Sequence, residues 1–284
     1  MQRVRIFGIE INAVMHCNLA CAGCSHASPV STTWSADPRT VHRDLTALHS
    51  VTDVDEVRVV GGEPLLHPQF TELLQAISAS GIDGTVRVIT NGTRLHRAGF
   101  AWVEHADEVY VSVYPGAAVR ADALDQLRRR GEQTGTRVAV NRFTHFRPVV
   151  PRTRLTVEET AAVFEACQVA HSWSCHTVQE GYVYLCPMTV PAPGRDNTQV
   201  SRCGIEPLAT LPERLSSFLN STAPLPECRS CLGTVGQRTP HRQANRKTWL
   251  PLSTSQIDWD HVERVRADPW ADNGCVDNSV PLRL

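Results

Sequence analysis

Between residues 4 and 166 two kinds of apolar pattern take turns, and that alternation constrains the fold more than any other feature. Strand-like runs occur at "VRIFGIEIN" (4–12), "EVRVVGG" (56–62), "TVRVITNG" (85–92), "EVYVSVYPG" (108–116) and "TRVAVNRF" (136–143). Segments of helical spacing lie between and after them, at 36–51, 70–80, 121–131 and 156–168, with a short helix around 95–104. Leu73, Leu74 and Ile77 mark the apolar face of the second helix, and Gly131 is placed to stop the segment at 121–131. Thr156 and Glu159 have the spacing of a capping box. Such alternation builds a parallel sheet with helices outside it. Five β/α units are visible and a sixth strand is not evident. The prediction is an α/β fold, a partial (β/α)5-6 TIM-like barrel rather than a complete eight-fold one. Ligands in such folds bind at the carboxyl ends of the strands.

After residue 170 the texture changes. "WSCHTVQEGYVYLCP" (173–187) reads as a hairpin flanked by cysteines, followed by a Pro/Gly-rich loop at 187–196 and a helix at 211–220. "ECRSCLG" (227–233) and an irregular tail complete the chain. The predicted organisation is a barrel at 1–168, a small cysteine-bearing domain at 169–250 and a tail at 251–284 that packs on the barrel.

The net charge of −1 argues against nucleic acid or an anionic membrane as the main partner. "MQRVRIFGIEI" runs straight into a strand without a signal-peptide core, and no apolar run approaches a membrane span. These features predict a cytoplasmic protein. In a reducing compartment ten cysteines read as metal ligands or catalysts rather than disulfides.

Cys17, Cys21 and Cys24 form C-x3-C-x2-C just behind the first strand. Three thiolates on one loop suit a cubane iron–sulfur cluster and leave one iron open; a zinc loop or buried structural cysteines are the alternatives. Cys175 and Cys186 flank the hairpin, and Cys228 and Cys231 follow as C-x2-C, which can make a four-thiolate site for iron–sulfur or for zinc. Cys167 follows the apolar face of a helix and is assigned to packing.

The triplet together with "GGEP" (61–64) resembles the radical S-adenosylmethionine (SAM) superfamily. The resemblance implies a [4Fe–4S] cluster on Cys17, Cys21 and Cys24 whose open iron chelates SAM. It implies that Gly61, Gly62 and Glu63 hold the methionine amino group. Asn91 and Ser112 would contact ribose and carboxylate, and Asn141 would do the same or face substrate. The family often carries an aromatic residue where this chain has Gly23. Cys175, Cys186, Cys228 and Cys231 resemble the ligands of the Twitch domain, a short relative of the SPASM domain, which holds an auxiliary [4Fe–4S] cluster that passes electrons.

"HCNLACAGCSHASP", "YLCP" and "CLGTVG" resemble the radical SAM enzymes that tailor aminoglycoside and aminocyclitol antibiotics. This implies hydrogen abstraction from a carbinol carbon of a sugar or aminocyclitol, with an external electron donor of the flavodoxin or ferredoxin type. A thiol returning hydrogen to the opposite face gives an epimer; without one, oxidation gives a ketone. Spare cysteines favour the epimerase, with Cys203 as first candidate donor and Cys275 as second. An acidic tail at 257–277 suits a polycationic substrate. Arg238 and Arg242 would instead suit a nucleoside uronate and a decarboxylase. A peptide-modifying enzyme is a further alternative. His16, His26, Tyr114, Trp173 and His176 are candidate pocket residues, His26 foremost.

Overall fold

A computed structural model describes residues 3–192, 197 and 199–278. Of the Pro/Gly-rich loop expected at 187–196, residues 193–196 lie outside the described residues. Five parallel strands follow one another across a single sheet: β1 (Val4–Val14), β2 (Thr52–Gly61), β3 (Thr85–Thr90), β4 (Glu108–Val113) and β5 (Arg137–Arg142). The crossovers carry helices α1 (Pro38–His49) and α2 (Phe70–Ser78), then helix Ala121–Thr134 between β4 and β5.

Strand alternation sends every second residue outward. Ile9, Ile11, Val57, Val59, Val86, Val88, Val109 and Val111 pack there against Leu45 and Leu48 of α1, Leu73, Leu74 and Ile77 of α2, and Leu124 and Leu127. Each such fully buried side chain contributes about 1.5–3 kcal/mol. The opposite face is polar. Glu56 pairs with Arg58 at 2.6 Å and with Arg87, and Glu108 pairs with Arg87 at 2.5 Å and with Arg137. The Arg87 guanidinium also lies over the Tyr110 ring, 4.3 Å from its centroid. A doubly covered parallel sheet would read as continuous apolar runs. These strands alternate because their inner face lines a lumen crossed by an ion-pair ladder.

The sixth strand comes from the far side of the sequence. His176–Gln179 pairs in parallel with β1, with Glu10 opposite Thr177. It turns back through Glu180 and Gly181, both at positive φ, into the antiparallel strand Tyr182–Tyr184, which pairs with Cys203–Gly204. Two consecutive positive-φ residues are the mark of the tight hairpin turn. The strand escaped sequence reading because four residues between cysteines carry too short a pattern to separate from a local hairpin.

Helix Ala121–Thr134 runs through Gly131 and ends at Gly135, at φ +76°. Gly131 is there because a Cβ would stand 2.7 Å from the Thr136 carbonyl oxygen. The capping box at Thr156 and Glu159 opens helix Val157–Glu165 with both of its hydrogen bonds, 2.8 and 3.2 Å. The later chain folds back over the barrel mouth. Thr239–Pro240 pairs with His145–Phe146, Thr254–Ser255 with Val150–Pro151, and Val276 with Phe143. Helix Trp259–Ala267 packs Val262 and Val265 on Leu155, Val163, Ala166, Leu232 and Val235. Among the described residues no helix is long and apolar enough to cross a membrane.

Candidate active site

The loop after β1 and the end of β2 meet backbone to backbone. Gly62 N donates to the Val14 carbonyl at 2.8 Å, and Glu63 N to that of His16 at 3.1 Å. A Cβ on Gly62 would stand 1.8 Å from the His16 oxygen, and one on Gly61 2.2 Å from the Val14 oxygen. The two glycines are therefore required by the approach itself. Beneath this junction lies a cavity of about 350 Å³. Cys17, Cys21 and Cys24 line it with Gly61, Gly62, Asn91, Ser112, His26 and Tyr114.

Burial pushes the Cys17 and Cys21 thiols up to about 12. Cys17 Sγ already accepts from Leu19 N at 3.3 Å and from Asn91 Nδ2 at 3.6 Å. Sulfurs surrounded by N–H donors suit thiolates bound to a metal rather than neutral thiols. Among the described residues no three His, Cys, Asp or Glu side chains stand as a ready single-ion site. Asn91 is held by Nδ2 to Asn18 Oδ1 at 3.1 Å, and its Oδ1 accepts from Thr93 N at 2.9 Å.

Glu63 departs from the expectation that its carboxylate meets a ligand. It is fully buried, and its oxygens accept from Leu65 N (3.1 Å), Thr90 Oγ1 (2.6 Å) and Asn91 N (2.7 Å). Burial pushes the carboxyl up, and these three bonds oppose the shift. Its carboxylate ties the end of β2 to the end of β3. Asn141 accepts from Asn278 Nδ2 at 3.4 Å and does not line the cavity. Arg238 donates to the Gly274 carbonyl at 3.1 Å, and Arg242 contributes its backbone oxygen to Ala22 N at 2.9 Å; neither lines the cavity.

The second cysteine group is assembled differently from the sequence expectation. Cys186, Cys228 and Cys231 surround a small cavity of about 30 Å³, and the fourth thiol there is Cys167, not Cys175. Cys167 follows a helix end that the strand pattern cannot locate in space. Burial, then the neighbouring cysteines, push the Cys186 and Cys228 thiols well up and that of Cys167 to about 12. Gly233 closes the group, since a Cβ there would lie 2.8 Å from Cys167 Sγ. Cys175 faces the large cavity instead. Its thiol bonds the Glu10 carboxylate, and Arg58 Nη1 lies 3.5 Å from its sulfur.

The two donor candidates separate. Cys203 packs with Leu211 and Leu215 in the main core, on the outer side of the sheet, and is not a lining residue. Cys275 is buried and lines the large cavity beside Asn273 and Tyr114. Sequence reading missed Glu10, Arg147, Phe143 and Phe146, all of which line the cavity. Only the polar phase of the β1 alternation pointed to Glu10. Arg147 is neutralised by Asp258 at 2.7 Å, and Tyr114 stacks with His241 and abuts Phe143 and Phe146 at 5.6 and 5.5 Å. The structure thus supplies an aromatic wall where Gly23 supplies none.

Residues 11–141 match the radical SAM superfamily. A GTP 3',8-cyclase of Chlorobaculum tepidum is 38% identical over 97 residues, 34% of this chain and 29% of that protein. A GTP 3',8-cyclase of Alkaliphilus oremlandii is 32% identical over 149 residues, 48% of this chain and 43% of that protein. The chain therefore spans less than half the length of the curated relatives it matches. Among solved structures, anSMEcpe with bound AdoMet aligns with a TM-score of 0.50 at 10% identity, over 91% of this chain and 94% of that one. BtrN in complex with AdoMet and 2-DOIA aligns at 0.47 and 18% identity, over 78% and 84%. The first of these supports the fold. The matched segment runs from the end of β1 into β5 and contains the three-cysteine loop and both glycines of the junction, and over these residues the chain is similar to the radical SAM superfamily.

Proposed function

We propose that this radical SAM enzyme takes hydrogen from a carbinol carbon of an aminoglycoside-type sugar or aminocyclitol in antibiotic biosynthesis, and epimerises it with Cys275 as hydrogen donor. Cys17, Cys21 and Cys24 would hold the [4Fe–4S] cluster, and the Gly61–Gly62 backbone, Asn91 and Ser112 would hold SAM. When bound, the cluster supplies the electron that cleaves SAM to a radical able to abstract hydrogen from carbon. The protein positions one C–H and excludes water. Cys167, Cys186, Cys228 and Cys231 would hold the auxiliary [4Fe–4S] cluster, so the small domain begins before Cys167 rather than at 169. An external reductant of flavodoxin or ferredoxin type in the cytoplasm would feed both.

The observation that carries this reading is Cys275, buried in the same cavity as the triplet. Its S–H passes a hydrogen atom to the substrate carbon radical, forming C–H and leaving a thiyl. One electron, which an auxiliary cluster would supply when bound, and one proton from solvent would restore the thiol. The cavity wall favours this substrate class over a nucleoside triphosphate or a uronate. Its arginine, Arg147, is already paired, whereas Glu10 is buried with Oε2 lacking a partner. That oxygen suits a hydroxyl or ammonium donor.

The test is anaerobic reconstitution followed by a panel of aminocyclitols in deuterated water. Epimer carrying deuterium at carbon, with 5'-deoxyadenosine formed in step, is the expected outcome. Cys275→Ala should still form 5'-deoxyadenosine, while epimer falls to background. A ketone without label supports the second reading, an alcohol dehydrogenase, in which an auxiliary cluster held by Cys167, Cys186, Cys228 and Cys231 would accept the electron. No 5'-deoxyadenosine with any donor and substrate overturns both.

A further inference from the structure

The segment from Pro240 to Ser253 lies across the three-cysteine loop and bonds four consecutive residues of it. Ala20 N donates to Gln243 Oε1 at 2.9 Å, and Ala22 N to the Arg242 carbonyl at 2.9 Å. Gly23 N donates to Ser253 Oγ at 2.9 Å. In return the loop accepts: Ala20 O from Ala244 N at 2.6 Å, and Cys21 O from Trp249 Nε1 at 3.1 Å. Cys21 and Gln243 form an antiparallel bridge, and Trp249 is buried. An irregular loop leaves backbone N–H groups without partners, and here a segment more than two hundred residues away supplies them.

Gln243 does more than tie the backbone. Its amide orientation is decided by Ala20, because a backbone N–H only donates and so requires the side-chain oxygen. That leaves the Gln243 NH2 facing Cys21 Sγ, at 3.7 Å. Cys17 draws its donors from its own loop and from the end of β3. The side-chain donor to the Cys21 sulfur comes from this distant segment.

We propose that residues 240–253 are a positioning strap, in which Gln243 fixes the cysteine loop and donates a hydrogen bond to the Cys21 sulfur, raising the reduction potential of the cluster held there. The inference rests on the reading of Cys17, Cys21 and Cys24 as cluster ligands. Donors to a ligand sulfur stabilise the more electron-rich, reduced cluster. Removing one makes the cluster harder to reduce.

Two substitutions separate the roles. Gln243→Glu keeps the acceptor for Ala20 but offers no donor to sulfur; Gln243→Met offers neither and adds no charge. Redox titration followed by electron paramagnetic resonance should show a more negative midpoint in both. The expected change is on the order of tenfold in the reduction equilibrium, about 59 mV for one electron. Amide hydrogen exchange at Ala20 should speed up about fivefold in Gln243→Met and stay slow in Gln243→Glu. Ser253→Ala should do the same at Gly23 only. A shift in Gln243→Glu without one in Gln243→Met would make charge, not the hydrogen bond, responsible and would overturn the tuning role. Wild-type amides at 20–23 exchanging as fast as those of an open loop would overturn the strap. A wild-type chain that takes up no cluster refutes the iron–sulfur reading instead, and the exchange measurements on the metal-free protein then decide the strap by themselves. Should Gln243→Met not fold, Gln243→Glu together with Ser253→Ala carries the test.

Discussion

Glu63 sits in the motif that resembles a SAM-binding sequence, yet its carboxylate is spent on three donors of its own chain. Glu63→Gln puts an NH2 against either the Asn91 N–H or the Leu65 N–H and Thr90 O–H, donors that need an acceptor. It should lower stability by about 1–3 kcal/mol, read as a lower Tm with or without SAM. A weakened SAM affinity with an unchanged Tm would show instead that the side chain touches the ligand. Glu10 makes a pH-dependent case. Burial pushes its carboxyl from 4.5 up to about 7, so between those values the folded chain binds more protons than the unfolded one. Stability from this residue is full below pH 4.5 and is lost as pH rises through 7. The loss amounts to about 3 kcal/mol. Glu10→Gln should therefore raise Tm at pH 8 and change it little at pH 4.5, measured by calorimetry across that range.

Among the elements, helix Ala121–Thr134 shows how tertiary contact overrides a local signal. Gly131 reads as a helix stop, but the helix continues to Thr134 because the glycine makes room for the Thr136 carbonyl. Propensity alone would make Gly131→Ala stabilising by about 1 kcal/mol. The close contact should reverse the sign, with a net loss of about 1–3 kcal/mol in denaturant unfolding. The capping box at Thr156, by contrast, was readable residue by residue, because its two bonds lie within four positions of one another. Outward apolar and inward polar residues on β1 to β4 were also readable as alternation. Their inward partners were not, since Glu56–Arg87 and Glu108–Arg137 are bonds between strands.

Across the whole molecule, the cysteines gather at two separate cavities. The triplet lies at the carboxyl end of β1, and the second group lies where the chain leaves the barrel and returns at 228–231. If Cys167 rather than Cys175 completes the second group, Cys167→Ala should drop reconstituted iron from about eight to about four per chain. Cys175→Ala should keep it near eight. The opposite result restores the ligand set read from the hairpin spacing.

The sequence by itself determined the β/α alternation, the cysteine loop behind β1 and the glycine pair after β2, because each depends on neighbours within a few residues. Only the tertiary structure decided which thiols share a cavity: Cys167 with Cys186, Cys228 and Cys231, and Cys275 with the triplet. It alone placed Cys203 in the core, committed Glu63 to its own chain and laid Gln243 against Cys21. Those are meetings of residues tens to hundreds of positions apart, brought about by how strands order in the sheet and where the chain folds back, and spacing along the chain carries no record of them.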